Sequence, residues 1–304
     1  MTIQPLALMP SPCLGICRMD GATGLCLGCA RSGEEVAIWR DVGEARRREI
    51  WASLPSRYAA LGLKLARLAW TPQEIASFAA DNLRNRRGSW AVGCYGAVAE
   101  FRMEPDEPAD VGTAGAVVAA RTRRGALRLR IGERVRALAL YEEPGRPNLR
   151  AVILVLPRNR AGLPVAAGLA ALGPDRHAIM AGERQQGLYD LGLNRRTMRF
   201  CIRSAEPGLV AALEGAVGQA FPGSLQTIAT MVSRANPVRV VETATARAEV
   251  RTPIPAAGGV SPDGPHTHLL PELLAQGHEI APDLEWPTAY AAGAIFYPDG
   301  ATED

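Results

Sequence analysis

Four of the six cysteines, Cys13, Cys17, Cys26 and Cys29, stand in a C-x3-C-x8-C-x2-C pattern near the start of the chain. Two close pairs joined by a short loop can bring four thiolates to one tetrahedral centre. Gly15 and Gly28 lie inside the pairs and Gly21 and Gly24 between them, permitting sharp turns that aim backbone N–H groups at sulfur. Such turns suit zinc and an iron–sulfur cluster alike, so either is the expected cofactor. Zinc held by four protein thiolates has no open position for water and is structural, whereas a cluster could carry electrons or sense oxidants.

The second constellation is at the other end. Three of the four histidines, His266, His268 and His278, fall within 13 residues, the first two in the string SPDGPHTHLLP. In an extended segment His266 and His268 point to the same side, so both imidazoles could reach one metal, with His278, Asp263, Glu272 or Glu279 as candidate third ligands. An open site of that kind could activate water. The competing reading is a rigid turn built on Pro262, Pro265 and Pro271, with the histidines bonded to backbone. Asp190, Arg195, Arg196 and Arg199 could bind an anion, but arginines alternating with apolar residues read more simply as the wet face of a strand. Cys94 and Cys201 read as buried thiols.

The stretch SPCLGICRMDGATGLCLGCARSGEEVAIW, followed by an arginine-rich helix and the Leu54-Pro55 step, resembles the YdhL-like predicted iron–sulfur family of unknown function. The resemblance covers residues 10–57, and the four cysteines, Gly15, Gly24, Arg31, Glu35 and Trp39 all have places in its pattern. It implies an iron–sulfur cofactor on those cysteines. The SPDGPHTHLLP string resembles one in uncharacterised bacterial proteins and implies no activity.

The elements that must position these groups fall into zones. After the cysteine knuckle, Ser32 with Glu35 forms a capping box, and Pro55 is expected to separate a helix with Ile50, Trp51 and Leu54 from one with Tyr58, Leu61, Leu65 and Leu68. Thr71, Pro72 and Glu74 open a further helix that should end near Gly88. Trp39 and Trp51 read as core, and Arg46, Arg47 and Arg48 beside Glu44 and Glu49 as a solvated helix face. From Trp90 the period changes to two. Leu127, Leu129 and Ile131 share one face with Arg128 and Arg130 on the other, and similar strands are expected over residues 90–103, 135–141, 152–156, 198–203 and 238–251. One helix, residues 207–219, should bury Val210, Leu213 and Val217. The expectation is an α+β protein in two parts: residues 1–70, a four-cysteine module with helices, and residues 71–304, a domain with a largely antiparallel sheet.

The bounds on function come from composition. The chain has 304 residues, 47% hydrophobic and 21% charged, with net charge +3, and residues 1–70 hold nine Arg/Lys against six Asp/Glu. No dense basic stripe is present, so nucleic acid is not the expected partner, although an adaptor built on the N-terminal knuckle remains an alternative. Lys64 is the single lysine, which argues against a Walker-type phosphate loop or a Schiff-base enzyme. No G-x-S-x-G, G-x-G-x-x-G or H-E-x-x-H motif occurs. The expected location is cytoplasmic, without a signal peptide or membrane span. The expected role is a metal-binding accessory or redox-linked protein working with a protein or redox partner. The alternative is a metal-dependent enzyme centred on His266 and His268.

Overall fold

A computed structural model describes residues 9–144, 148–254 and 263–299; Ser261 and Pro262 of the histidine string lie outside them. The chain begins with the cysteine knuckle and continues through α1 (Gly33–Ala37), α2 (Glu44–Ala60), β1 (Leu65–Arg67) and α3 (Pro72–Arg84). Strands follow: β2 (Ser89–Cys94), β3 (Ala97–Phe101), β4 (Asp110–Ala114), β5 (Val117–Arg121), β6 (Gly125–Arg130), β7 (Arg136–Tyr141), β8 (Leu149–Pro157), β9 (Ala170–Pro174), β10 (Gly187–Asp190) and β11 (Met198–Ser204). After α4 (Pro207–Gly215) and α5 (Gly223–Ala235) come β12 (Val238–Thr243), β13 (Ala246–Val250), β14 (His266–Leu269), α6 (Pro271–Leu274) and β15 (Tyr290–Tyr297).

All strand pairings are antiparallel. One sheet runs β1-β7-β8-β15-β2-β3-β14 and the other β4-β5-β6-β13-β12-β11-β10-β9. The sheets face each other where β2 and β3 meet β11, β12 and β13. Their inner faces share one core: Trp90, Val92, Ala99 and Phe101 from the first sheet meet Leu127, Leu129, Phe200, Ile202, Val241 and Ala248 from the second. Alternation at period two does what the sequence led one to expect in strands such as β3 and β5, which turn one row toward this core and the other away from it. The protein is α+β with a sheet-rich C-terminal part.

The capping boxes at Ser32/Glu35 and Thr71/Glu74 both form. The break expected at Pro55 does not, and α2 runs through it for 17 residues. Proline in a helix interior costs about 3 kcal/mol, but Ile50, Leu54 and Tyr58, spaced four apart, all bury against Ala30 and Ala66 and hold the helix continuous. The stop comes at Gly62, φ +67°, where Leu63 N–H bonds the Tyr58 carbonyl and Gly62 N–H the Ala59 carbonyl, a Schellman closure. Leu65 thereby leaves the expected helix and becomes the first residue of an edge strand. The expected strands 90–103 and 238–251 are each a hairpin, and α4 buries Leu209 and Leu213 while Val217 stands 48% exposed beyond its end. Among the described residues no helix is long and apolar enough to cross a membrane.

Candidate metal centre

The knuckle is a set of turns stitched by few hydrogen bonds. Isolated antiparallel bridges pair Met19 with Cys26 and Leu25 with Ser32. Cys26 N–H reaches the Arg31 carbonyl at 2.8 Å, and Ala30 N–H the Cys26 carbonyl at 2.7 Å, with buried Ala30 in the left-handed region at φ +54°. The two cysteine-bearing turns pack on each other. A Cβ on Gly28 would lie 2.8 Å from the Ile16 Cβ, so the Cys26–Cys29 turn meets the Cys13–Cys17 turn in a space only glycine leaves open.

Cys26 and Cys29 are buried, Cys13 is half-buried and Cys17 exposed. Gly15 N–H donates to the Cys13 Sγ at 3.3 Å, and Arg31 Nε donates to the Cys29 Sγ at 3.4 Å. The charge of neighbouring Cys13 is the main cause raising the Cys17 thiol pKa, with Cys26 adding to it; burial raises that of Cys29, against the pull of Arg31. Three further donors surround the sulfurs without a hydrogen-bond partner among the described residues: Arg31 Nη1, Arg67 Nε and the Tyr58 hydroxyl. All three residues are nearly fully buried. Tyr58 feels Cys29 and Cys26, and Arg67 feels Cys13, which places all three beside the cluster. Burial pulls the Arg67 guanidinium below its ordinary pKa and pushes the Tyr58 hydroxyl above its own. Among the described residues no group of three or more His, Cys, Asp or Glu side chains is closed around a point as a metal site. The fit of the cysteines to a metal therefore rests on the donor set and on these unsatisfied donors.

The knuckle is anchored to both helix and sheet. Leu14 and Ile16 pack on the outer face of the first sheet against Leu138, Leu140 and Ile153. Arg67 Nη1 donates to the Ser11 carbonyl, Trp51 Nε1 to the Pro10 carbonyl at 2.9 Å, and Arg18 pairs with Glu285 at 3.3 Å. Glu35, inside its capping box, takes both Arg57 Nη1 and Nη2, at 2.5 and 3.1 Å. Trp39 lies under the guanidinium of Arg31 at 4.8 Å and that of Arg47 at 5.6 Å. Arg46 and Arg48 pair along α2 with Glu49 and Glu44, and Arg47 donates to the Trp39 and Arg40 carbonyls.

His266 and His268 lie on β14, the edge strand of the first sheet, their ring centroids 4.8 Å apart. His278 is elsewhere, edge-on to Tyr95 at 6.3 Å. Glu279 forks onto Arg158 at 2.8 and 2.8 Å, and Asp263 is exposed. The carboxylate that does approach is Glu100, opposite His266 in the β3–β14 register, with Oε2 3.5 Å from His266 Nε2. Nothing in the local sequence of the histidines points to a residue 166 positions earlier; only the strand pairing brings it in.

The model of a family of unknown function (DUF6925) matches residues 74–304, more than half of the chain. The chain belongs to that family. A second match, to a protein of unknown function (DUF1289), covers residues 11–58 and so contains all four cysteines of the knuckle. No curated protein and no solved structure matches.

The family-matched part also holds a buried ionic network on the outer face of the second sheet. Arg203, on β11, meets Asp175 at 2.8 Å, Glu249 at 2.8 Å and Glu183 at 2.5 Å. Arg247 adds contacts to Glu249 at 2.8 Å and to Asp175. The segment between β9 and β10 covers these side chains, and Ile179 N–H donates to Glu249 at 2.9 Å. Of the expected anion cluster, Arg199 is 3.6 Å from Asp190, Arg195 donates to the Leu274 and Gly277 carbonyls, and Arg196 accepts from Leu163 through its carbonyl.

Proposed function

We propose that Cys13, Cys17, Cys26 and Cys29 together hold one metal centre, and that the protein is an accessory or electron-handling metal protein. In this reading a cysteine module, residues 1–70, is fused to an α+β part, residues 71–304. The observation that carries it is the set of buried donors left without acceptors beside the sulfurs: Arg31 Nη1, Arg67 Nε and the Tyr58 hydroxyl. An unpaired buried donor costs about 1–3 kcal/mol, more when charged. Four thiolates bound to a metal supply the missing acceptors and the missing negative charge.

An iron–sulfur cluster, whose inorganic sulfides add further acceptors, suits three such donors better than zinc, and zinc is the second choice. When bound, a cluster supplies one-electron chemistry. The chain's own residues would then do three things. The turns at Gly15 and Gly28 set the cysteine spacing, Arg31 and Arg67 offset thiolate charge, and Tyr58 closes the buried side. Cys17, exposed, lies on the side from which a redox partner would approach.

The test is metal content, variant by variant. Each single serine replacement of the four cysteines should lose the metal, while Cys94→Ser and Cys201→Ser, which change thiols in the sheets, should retain it. Retention of full metal in any of the four would remove that cysteine from the ligand set.

A further inference from the structure

Between α2 and the first strand of the first sheet lies an open cavity of about 450 Å³, within the roughly 300–1,000 Å³ of small-molecule sites. Its walls are largely apolar: Trp51 and Leu54 from α2, Leu63, and Ala66, Leu68 and Ala69 from β1 and the residues after it. Among the described residues no carboxylate lines it. Leu54 and Tyr58 form the wall toward the cysteine knuckle, since both share a buried cluster with Ala30, the neighbour of Cys29.

Two neutral polar groups in the wall are left unspent. The first follows from Pro55, at the exposed rim. A proline inside a helix has no N–H for the carbonyl four residues earlier, and its ring crowds that carbonyl off the helix axis. That carbonyl belongs to Trp51, which lines the cavity beside Pro55. The residue that costs α2 a hydrogen bond thus leaves an acceptor at the cavity. The second is the hydroxyl of half-buried Tyr141, from β7, which has no hydrogen-bond partner among the described residues, while its backbone N–H bonds the Lys64 carbonyl. Arg67 also stands in the wall, but its Nη1 is committed to the Ser11 carbonyl and its charge is felt at Cys13.

An acid would set its oxygens against the Trp51 carbonyl. A neutral hydroxyl donates to that carbonyl and accepts from the Tyr141 hydroxyl. The rings of Trp51, Tyr58 and Tyr141 in the wall suit an aromatic body. We propose that this cavity binds a neutral aromatic hydroxyl compound, of the phenol or quinol class, its oxygen held by the Trp51 carbonyl and the Tyr141 hydroxyl and its ring against Trp51, Leu54 and Leu68. Binding draws on no metal, so it stands apart from the role of the cysteines.

The probe is 2-naphthol, neutral at pH 7 as phenols are, measured by equilibrium dialysis against the full-length protein beside 2-naphthoate and naphthalene, which share its rings. The wild type should bind one equivalent of 2-naphthol, about tenfold more tightly than either comparison, the difference that one or two net hydrogen bonds make. Tyr141→Phe, which removes only the hydroxyl, should weaken binding about three- to tenfold. Pro55→Ala gives α2 back its N–H and occupies the Trp51 carbonyl, so it should be at least as stable in urea as the wild type and yet bind about three- to tenfold more weakly. Ala69→Phe, which fills the cavity from its wall, should abolish uptake. Near-ultraviolet circular dichroism checks that each variant is folded. No saturable uptake by folded wild type, tighter binding of 2-naphthoate, or undiminished uptake by folded Tyr141→Phe and Pro55→Ala would overturn the proposal, the second result making the cavity an acid site on Arg67.

Discussion

Gly28→Ala puts the packing of the two cysteine turns to a direct test. The new methyl would stand 2.8 Å from the Ile16 Cβ and 3.5 Å from its Cγ1 and its backbone N. Reaching the 3.4 Å of an ordinary contact requires the turns to part by roughly 0.6 Å. Gly28 does not have a positive φ, so the cost is steric and not conformational. Overpacking of this kind costs about 1–3 kcal/mol. Metal–sulfur bonds are near 2.3 Å and tolerate about 0.2 Å, so a separation of that size is more than the site can absorb. Metal affinity should fall by a factor of ten or more, with a matching drop in urea midpoint. Gly21→Ala is the control: it lies in the same knuckle, also without positive φ, and an added Cβ meets nothing within 4 Å. Equilibrium metal competition with a chelator, alongside urea unfolding, measures both. Wild-type affinity and stability in Gly28→Ala would refute the idea that this contact sets the spacing of the pairs.

Arg203→Leu should destabilise the protein by about 3–5 kcal/mol in urea unfolding, because Asp175 and Glu249 lose a fully buried partner; a change below about 1 kcal/mol would show that the network carries no such charge balance. The same network predicts acid sensitivity. Burial would raise the Glu249 pKa, but the hydrogen bond from Arg203 and the charges of Arg203 and Arg247 outweigh it and hold it below the ordinary value. A depressed carboxyl stabilises the fold above its unfolded pKa, near 4.3, and that contribution is lost as pH falls through the folded value. Glu249→Gln should therefore flatten the acid limb of stability against pH, and an unchanged limb would contradict the assignment. Burial raises the thiol pKa of Cys94 to about 11 and that of Cys201 well above normal, so at pH 8 neither should react with a maleimide until the protein is unfolded. Rapid native labelling of either, read by mass spectrometry, would show that its strand opens.

Much of the scaffold was legible because local rules decide it. Thr71, Pro72 and Glu74 start α3 wherever they occur, and the alternation of Leu127, Leu129 and Ile131 with arginines marks one inner row of the sandwich. Pro55 misled because the burial of Ile50, Leu54 and Tyr58 outweighs a local penalty, and Leu65 because Gly62 ends the helix first. Arg203, Arg247 and Glu249 alternate with apolar residues just as solvent-facing charges do. Their burial depends on the segment carrying Asp175, Ile179 and Glu183, which joins them only through tertiary packing. Glu100 was invisible for the same reason: the neighbouring strand that carries His266 lies far along the chain. His278 shows the converse, since closeness in sequence to His266 and His268 does not bring it to their side.

The central claim is that Cys13, Cys17, Cys26 and Cys29 share one metal. The most direct measurement is the ultraviolet–visible spectrum of anaerobically purified full-length protein, taken with elemental analysis for iron, sulfide and zinc. Iron and sulfide with sulfur-to-iron charge-transfer bands that Cys26→Ser abolishes, or, as the second choice, colourless protein with one zinc that the same variant loses, is the predicted result. Folded protein that holds neither metal, with four thiols free to titrate, would contradict it.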